Sequence, residues 1–225
     1  MSITLDNVIP WGRSMDEYIA MFGLSERDLD ARILGCADGP ASFNTEMHCR
    51  GKTVISVDPI YQFSTEEIRK RIKAICPTIL EQLFQNRDDY IWDKIESPES
   101  LCELRMAVMD RFLDDFSAGK LTGRYLPHSL PELPFEDQKF DLTLCSHLLF
   151  LFSDMFSADF HCRAIQEMLR VSREVRIFPL LSLACELSPH LDIVCNNFRG
   201  LGRNCEITSV CYEMQRGANQ MLRIN

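Results

Sequence analysis

"RILGCADGPASFN", Arg32 to Asn44, sets a short apolar run directly before two glycines, a proline and a string of small residues. The run reads as a buried strand, and the residues from Pro40 onward read as a helix with proline in its first turn. Strand, tight turn and helix in that order let backbone approach a bound molecule closely. Next, "KTVISVDPIY", Lys52 to Tyr61, forms a second strand, rich in β-branched residues and stopped by Asp58-Pro59. On the N-terminal side, "SMDE", Ser14 to Glu17, spaces a hydroxyl and a carboxylate three apart, as a capping box requires. Tyr18, Met21 and Phe22 follow at helical spacing, so a short amphipathic helix is expected there.

Further along, "STEE", Ser64 to Glu67, is a second capping box opening a helix through Ile68, Ile72 and Ile75, with Pro77 expected to kink or end it. Residues 86–122 keep a helical pattern: Ser97-Pro98 suits an N-cap and first position, and Leu101, Leu104, Val108, Phe112 and Phe116 mark one face. Such an insertion either shapes a substrate site or covers core. A short strand and a proline-punctuated loop follow in "GRYLPHSLPELPFEDQ". "KFDLTLCSHLLFLF" is a fourth strand turning at Ser146-His147, "ADFHCRAIQEMLRVS" an amphipathic helix and "REVRIFPLLSL" a fifth strand. A last helix near "SPHLDIVCNNFRG" precedes two strands joined by a turn near Gly217. Alternating strands and helices ending in a hairpin predict an α/β fold over 1–225: a Rossmann-like, doubly wound, mostly parallel seven-stranded sheet with a helical insertion.

The 225 residues suffice for one sizeable core, and 46% hydrophobic content with a quarter of residues charged is that of a soluble globular chain. A net charge of −9 opposes phosphate backbones and anionic membrane surfaces, so neither nucleic acid nor membrane is an expected partner. No run approaches the ~20 apolar residues of a membrane helix, and a cytoplasmic location is expected. The ten cysteines are scattered through apolar runs without a C-x-x-C pair, which reads as buried thiols and no metal site.

A dinucleotide fingerprint places its third glycine where Pro40 stands, and "GPASF" lacks the lysine of a phosphate loop. The G-x-A-x-G of Gly35, Ala37 and Gly39, with Asp58 ending the following strand, resembles class I S-adenosylmethionine-dependent methyltransferases. The resemblance extends over nearly the whole chain: "ILGCADG" is similar to the family's glycine motif, "VISVDPIY" to its ribose-binding strand end, and "LPELPFEDQKFDLTLCSHLLFLF" to its fourth-strand region. The second glycine is replaced by Ala37, the acidic residue often found two positions before the first glycine by Ile33, and the third-strand aspartate by Ser129.

This resemblance implies S-adenosylmethionine as cofactor and a small-molecule or other non-nucleic-acid methyl acceptor. The alternative is a non-catalytic protein that keeps the fold. Gly35, Ala37 and Gly39 would lie against the methionine part, and Asp38 would either hold its ammonium or cap the next helix. Asp58 would accept the ribose hydroxyls, Pro59 or Ile60 would lie along the adenine face, and the Ser129-Leu130 backbone would meet the adenine edge. Cys145, at the end of the fourth strand, and Arg13 complete the expected cofactor set. His147, just beyond it, is either a base for the acceptor or a structural turn residue. Residues 1–29 form a candidate lid in which Arg13 is available to a carboxylate, while Trp11 either joins the lid or staples the first helix. Asp141 reads as structural, and Gln215, Arg216 and Asn219 as ordinary turn residues.

Overall fold

Seven strands, β1 (Ile33–Cys36), β2 (Val54–Val57), β3 (Tyr125–Leu126), β4 (Phe140–Ser146), β5 (Ser172–Phe178), β6 (Cys205–Ser209) and β7 (Gln220–Ile224), make one sheet. They appear in a computed structural model that describes residues 10–225. Their order is β3-β2-β1-β4-β5-β7-β6, with β1 to β5 parallel and β7 antiparallel to both of its neighbours. This is the Rossmann-like, doubly wound sheet expected from the sequence. The reversal at β7 closes it as the likeness to class I methyltransferases implies. The order turns back at β1, so the carboxyl ends of β1, β2 and β4 border one crevice, where open α/β sheets bind ligands.

Helices cover both faces. On one, α6 (Ala158–Val171) and α7 (Leu191–Gly200) bury Ile165, Met168, Val194 and Phe198 against Leu34, Cys36, Cys145 and Ile177. On the other, α1 (Met15–Phe22), the single turn α2 (Glu26–Leu29) and α3 (Phe43–Cys49) pack over Ile33, Val54, Leu142 and Leu144. The capping box at Ser14 forms as the sequence predicts, with Glu17 returning to the Ser14 amide. Helix α3 begins later than expected: Ser42 is its N-cap and Pro40 stays in the turn.

Two long helices, α4 (Thr65–Gln85) and α5 (Pro98–Leu121), lie between β2 and β3. The proline does not end α4, which continues through Pro77 to Gln85. Burial of Ile68, Ile72, Ile79 and Leu83 along one stripe outweighs the hydrogen bond that proline removes. The C-terminal half of α5 is core, with Phe112 and Phe116 packed on Tyr61 and Tyr125. From its N-terminal half, Leu101 and Arg105 line a small cavity.

Helix α1 is part of the core and not a loose flap, since Met15, Tyr18, Met21 and Phe22 are all buried. The Ser42 amide donates to the Arg13 carbonyl at 3.1 Å, and the Met15 amide to Glu46 Oε1 at 3.1 Å. The first nine residues of the expected 1–29 lid lie outside the described residues. Asp141 is structural as expected, bound by the Arg32 guanidinium at 2.9 Å through each oxygen. Among the described residues no helix is long and apolar enough to cross a membrane.

Asn44 fastens α3 beneath the crevice. Its buried amide donates to the carbonyls of Val54 and Arg124 and to Ser56 Oγ, and its Oδ1 accepts from Arg124. Replacing it with alanine orphans these groups away from water. Asn44→Ala is expected to lower stability by about 2–3 kcal/mol in urea denaturation, with the slope unchanged.

Candidate binding site

The turn after β1 is held by backbone and by one carboxylate. The Ala37 amide donates to the Val57 carbonyl at 2.9 Å, and Ala37 and Gly39 adopt left-handed φ values of 59° and 52°. Alanine tolerates that conformation at a cost of about 1–2 kcal/mol; glycine adopts it freely. The Asp58 carboxylate at the end of β2 reaches across: Oδ2 accepts from the Gly39 amide at 2.9 Å and Oδ1 from the Ile60 amide at 2.8 Å. The Tyr61 hydroxyl donates to the Gly39 carbonyl at 2.7 Å. Each Asp58 oxygen has spent one acceptor site and keeps another.

These groups border a cavity of about 720 Å³. Of the residues expected to bind cofactor, Ala37, Asp38, Gly39, Asp58, Pro59 and Ile60 line it from one side. Ser129 and Leu130, from the loop before β4, also line it, as do His147 and Arg13. Gly35 and Cys145 do not line it: Cys145 is fully buried in the α6 face beside Cys36, its strand partner, because alternate strand residues face opposite ways.

The glycine at position 35 has a different cause. A Cβ there would lie 1.8 Å from Asp38 Oδ2, since Asp38 folds back over the strand end. Its Oδ1 accepts from the Tyr18 hydroxyl at 2.8 Å and its Oδ2 from Ser56 Oγ at 2.6 Å. Asp38 therefore caps no helix, and its two hydroxyl partners tie α1 to β2. Burial pushes both the Asp38 and Asp58 carboxyls up to about 6. Raised carboxyls favour the folded state most below their ordinary value near 4, and this contribution fades as pH rises through 6.

His147 follows β4 in a left-handed conformation, φ 51°, with its amide donating to the Phe178 carbonyl at 2.7 Å. Its Nδ1 and Ser146 Oγ are 2.8 Å apart, and no group among the described residues bonds Nε2. Burial, reinforced by Arg13 and Arg105, pushes the imidazole well below 6.5, so it is neutral at pH 7. Sequence reasoning missed the apolar and cationic rim of the cavity: Phe156 stacked on Phe160 with centroids 4.6 Å apart, and Arg71 lying 3.6 Å over the Phe63 ring. Nothing in the spacing of these residues marks them.

Trp11, Arg13 and His147 also line a second, smaller cavity of about 130 Å³. Its walls come from α4, α5, the end of β5 and the 210–219 connection, including Tyr90, Arg105, Tyr212 and Met214. Gln215, expected to be an ordinary turn residue, lines it and donates to the Ser182 carbonyl at 3.3 Å. Arg216 donates to the carbonyls of Asp88 and Tyr90. The final turn is thereby tied to the 86–97 connection. Trp11 packs among the apolar residues of α4 and α5, which makes it a wall between the cavities.

Over 99% of its length the chain aligns with 98% of the uncharacterized protein MJ0045 of Methanocaldococcus jannaschii, at 30% identity. The chain belongs to that protein's family. No family model matches it. Among solved structures, magnesium protoporphyrin IX methyltransferase of Synechocystis with bound SAH is similar over 93% of this chain and 80% of that one, with TM-score 0.49 and 9% identity. A putative S-adenosyl-L-methionine-dependent methyltransferase of Methanococcus maripaludis is similar over 94% and 82%, with TM-score 0.47 and 11% identity.

Because the Gly35 position is filled by the Asp38 carboxylate, Gly35→Ala is expected to cost about 2–4 kcal/mol. Adding Asp38→Ala to the same chain should return part of that loss, because the clash disappears with the side chain. Chemical denaturation of the single and double variants reads the coupling.

Proposed function

We propose that the chain is an S-adenosylmethionine-dependent methyltransferase acting on a small molecule. The observation that carries this reading is the Asp58 carboxylate at the end of β2: anchored by the amides of Gly39 and Ile60, it keeps acceptor capacity beside a cavity of about 720 Å³. A rigid carboxylate with two free acceptor sites suits a vicinal diol, and the ribose of the cofactor presents one. The donor set fits the rest of the molecule: backbone of Ala37 and Gly39 for its amino-acid end, Pro59, Ile60 and Leu130 for an aromatic base, and Ser129 backbone for the base edge.

When bound, the cofactor supplies a methyl group on a sulfonium, open to in-line attack. The protein's part is to position the two reactants and exclude water. The neutral imidazole of His147 stands on the wall common to the two cavities, with Nε2 unbonded, and accepts the proton that an acceptor O–H or N–H releases. Arg13 stands on the same wall.

Calorimetry with S-adenosylhomocysteine tests the binding claim. Asp58→Ala is expected to weaken binding by about 1–3 kcal/mol, the scale of lost charge-assisted hydrogen bonds. Since the carboxylate accepts best when ionised, wild-type affinity should fall as pH drops through about 6. Equal affinity of a folded Asp58→Ala variant removes the ribose role. His147→Asn, compatible with a left-handed backbone, should leave that affinity within about twofold while lowering kcat by about 10²–10⁴. Binding without turnover of any acceptor would favour the non-catalytic alternative.

A further inference from the structure

The smaller cavity carries more charge than its size suggests. Its body is apolar, bounded by Leu83, Leu151, Phe152, Phe178 and Met214. A dry cavity of about 150 Å³ takes a benzene ring, so about 130 Å³ suits a body of one ring or a short branched chain. Yet two guanidinium groups, Arg13 and Arg105, reach the same space. Only one is neutralised. Glu17 meets Arg105 through both oxygens and also accepts from the Tyr212 hydroxyl at 2.9 Å. Burial opposes ionisation of Glu17, but Arg105 overcomes it and holds the carboxyl at about 2.

Arg13 donates to the Trp11 carbonyl and forms no ion pair among the described residues. The Nε atoms of Arg13 and Arg105 are both buried without a hydrogen-bond partner, and the Arg105 side chain is only 1% exposed. Two cations against one anion leave a unit of positive charge in a low-dielectric space. Such a site selects an anion and penalises a cation of the same shape.

Resting on the methyl-transfer reading above, we infer that the smaller cavity holds the acceptor and that this acceptor is a small carboxylate: an apolar body of about one ring bearing a single negative charge that Arg13 pairs. Arg105, locked by Glu17 and Tyr212, acts as a positioning residue that keeps the field positive. Trp11 and His147 then form the boundary across which the acceptor atom meets the larger cavity.

The cofactor also bears a carboxylate, so the test separates the two sources. Calorimetry on the full chain without cofactor compares benzoate and phenylacetate with benzamide and phenylacetamide. The acids are expected to bind at least about tenfold more tightly than their amides. Arg13→Gln should erase that preference, Arg13→Lys should keep part of it, and Leu151→Trp should block the acids by filling the cavity. Amides binding as well as acids to the wild type would overturn the inference without any variant. So would an Arg13→Gln chain that retains the acid preference yet loses affinity for S-adenosylhomocysteine and not for methylthioadenosine, because Arg13 would then serve the cofactor. An acid preference in a protein that fails to bind S-adenosylhomocysteine supports the cavity assignment and overturns the methyl-transfer reading.

Discussion

One carboxylate, Asp58, joins the two strand ends on which the crevice is built. By accepting from Gly39 on one oxygen and Ile60 on the other, it fixes the β1 turn relative to the β2 end. Without it, two backbone amides would face an apolar-walled cavity unpaired. The left-handed turn residues Ala37 and Gly39 are held by this bond and by the Ala37 bond to Val57. Each oxygen keeps a further acceptor site, and Asp58 lines the larger cavity. On the proposed function, structure and recognition would use different lone pairs of the same group.

A second layer of polar contacts surrounds this anchor. Tyr18, Asp38, Ser56 and Asn44 form a buried chain of hydrogen bonds running from α1 through the β1 turn and β2 to α3. Glu17, one residue from Tyr18, is bound by Arg105 of α5. Helix α1 thus belongs to two networks, one under the larger cavity and one beside the smaller. A buried pair such as Arg105–Glu17 adds little net stability, because desolvation offsets the attraction. Breaking it would be costly, and it fixes the orientation of α5 against α1 and Tyr212.

Local patterns carried much of this into the sequence. An apolar run stopped by glycines marks a strand entering a tight turn, and an acidic residue before proline marks the end of the next. Both are short-range signals, so Ala37, Gly39 and Asp58 were legible. The capping boxes at Ser14 and Ser64 were legible for the same reason. Pro77 does not end α4, because the packing of one α4 stripe decides the extent of the helix and a single residue does not. That Cys145 turns toward α6 and away from the cavity was not legible, because position along a strand does not tell which face a residue takes. The Asp38 carboxylate that occupies the space over Gly35 is visible only in three dimensions. The smaller cavity had no local signature at all: Glu17, Arg105 and Tyr212 lie far apart in the chain and meet only after the sheet and α5 have formed.

The most direct test of the account is a crystal structure of the protein with S-adenosylhomocysteine. It should show both ribose hydroxyls within hydrogen-bond distance of the Asp58 oxygens, with the Gly39 and Ile60 amides still bound to the same carboxylate. A ligand seated elsewhere, or an Asp58 side chain turned away from the sugar, would contradict it.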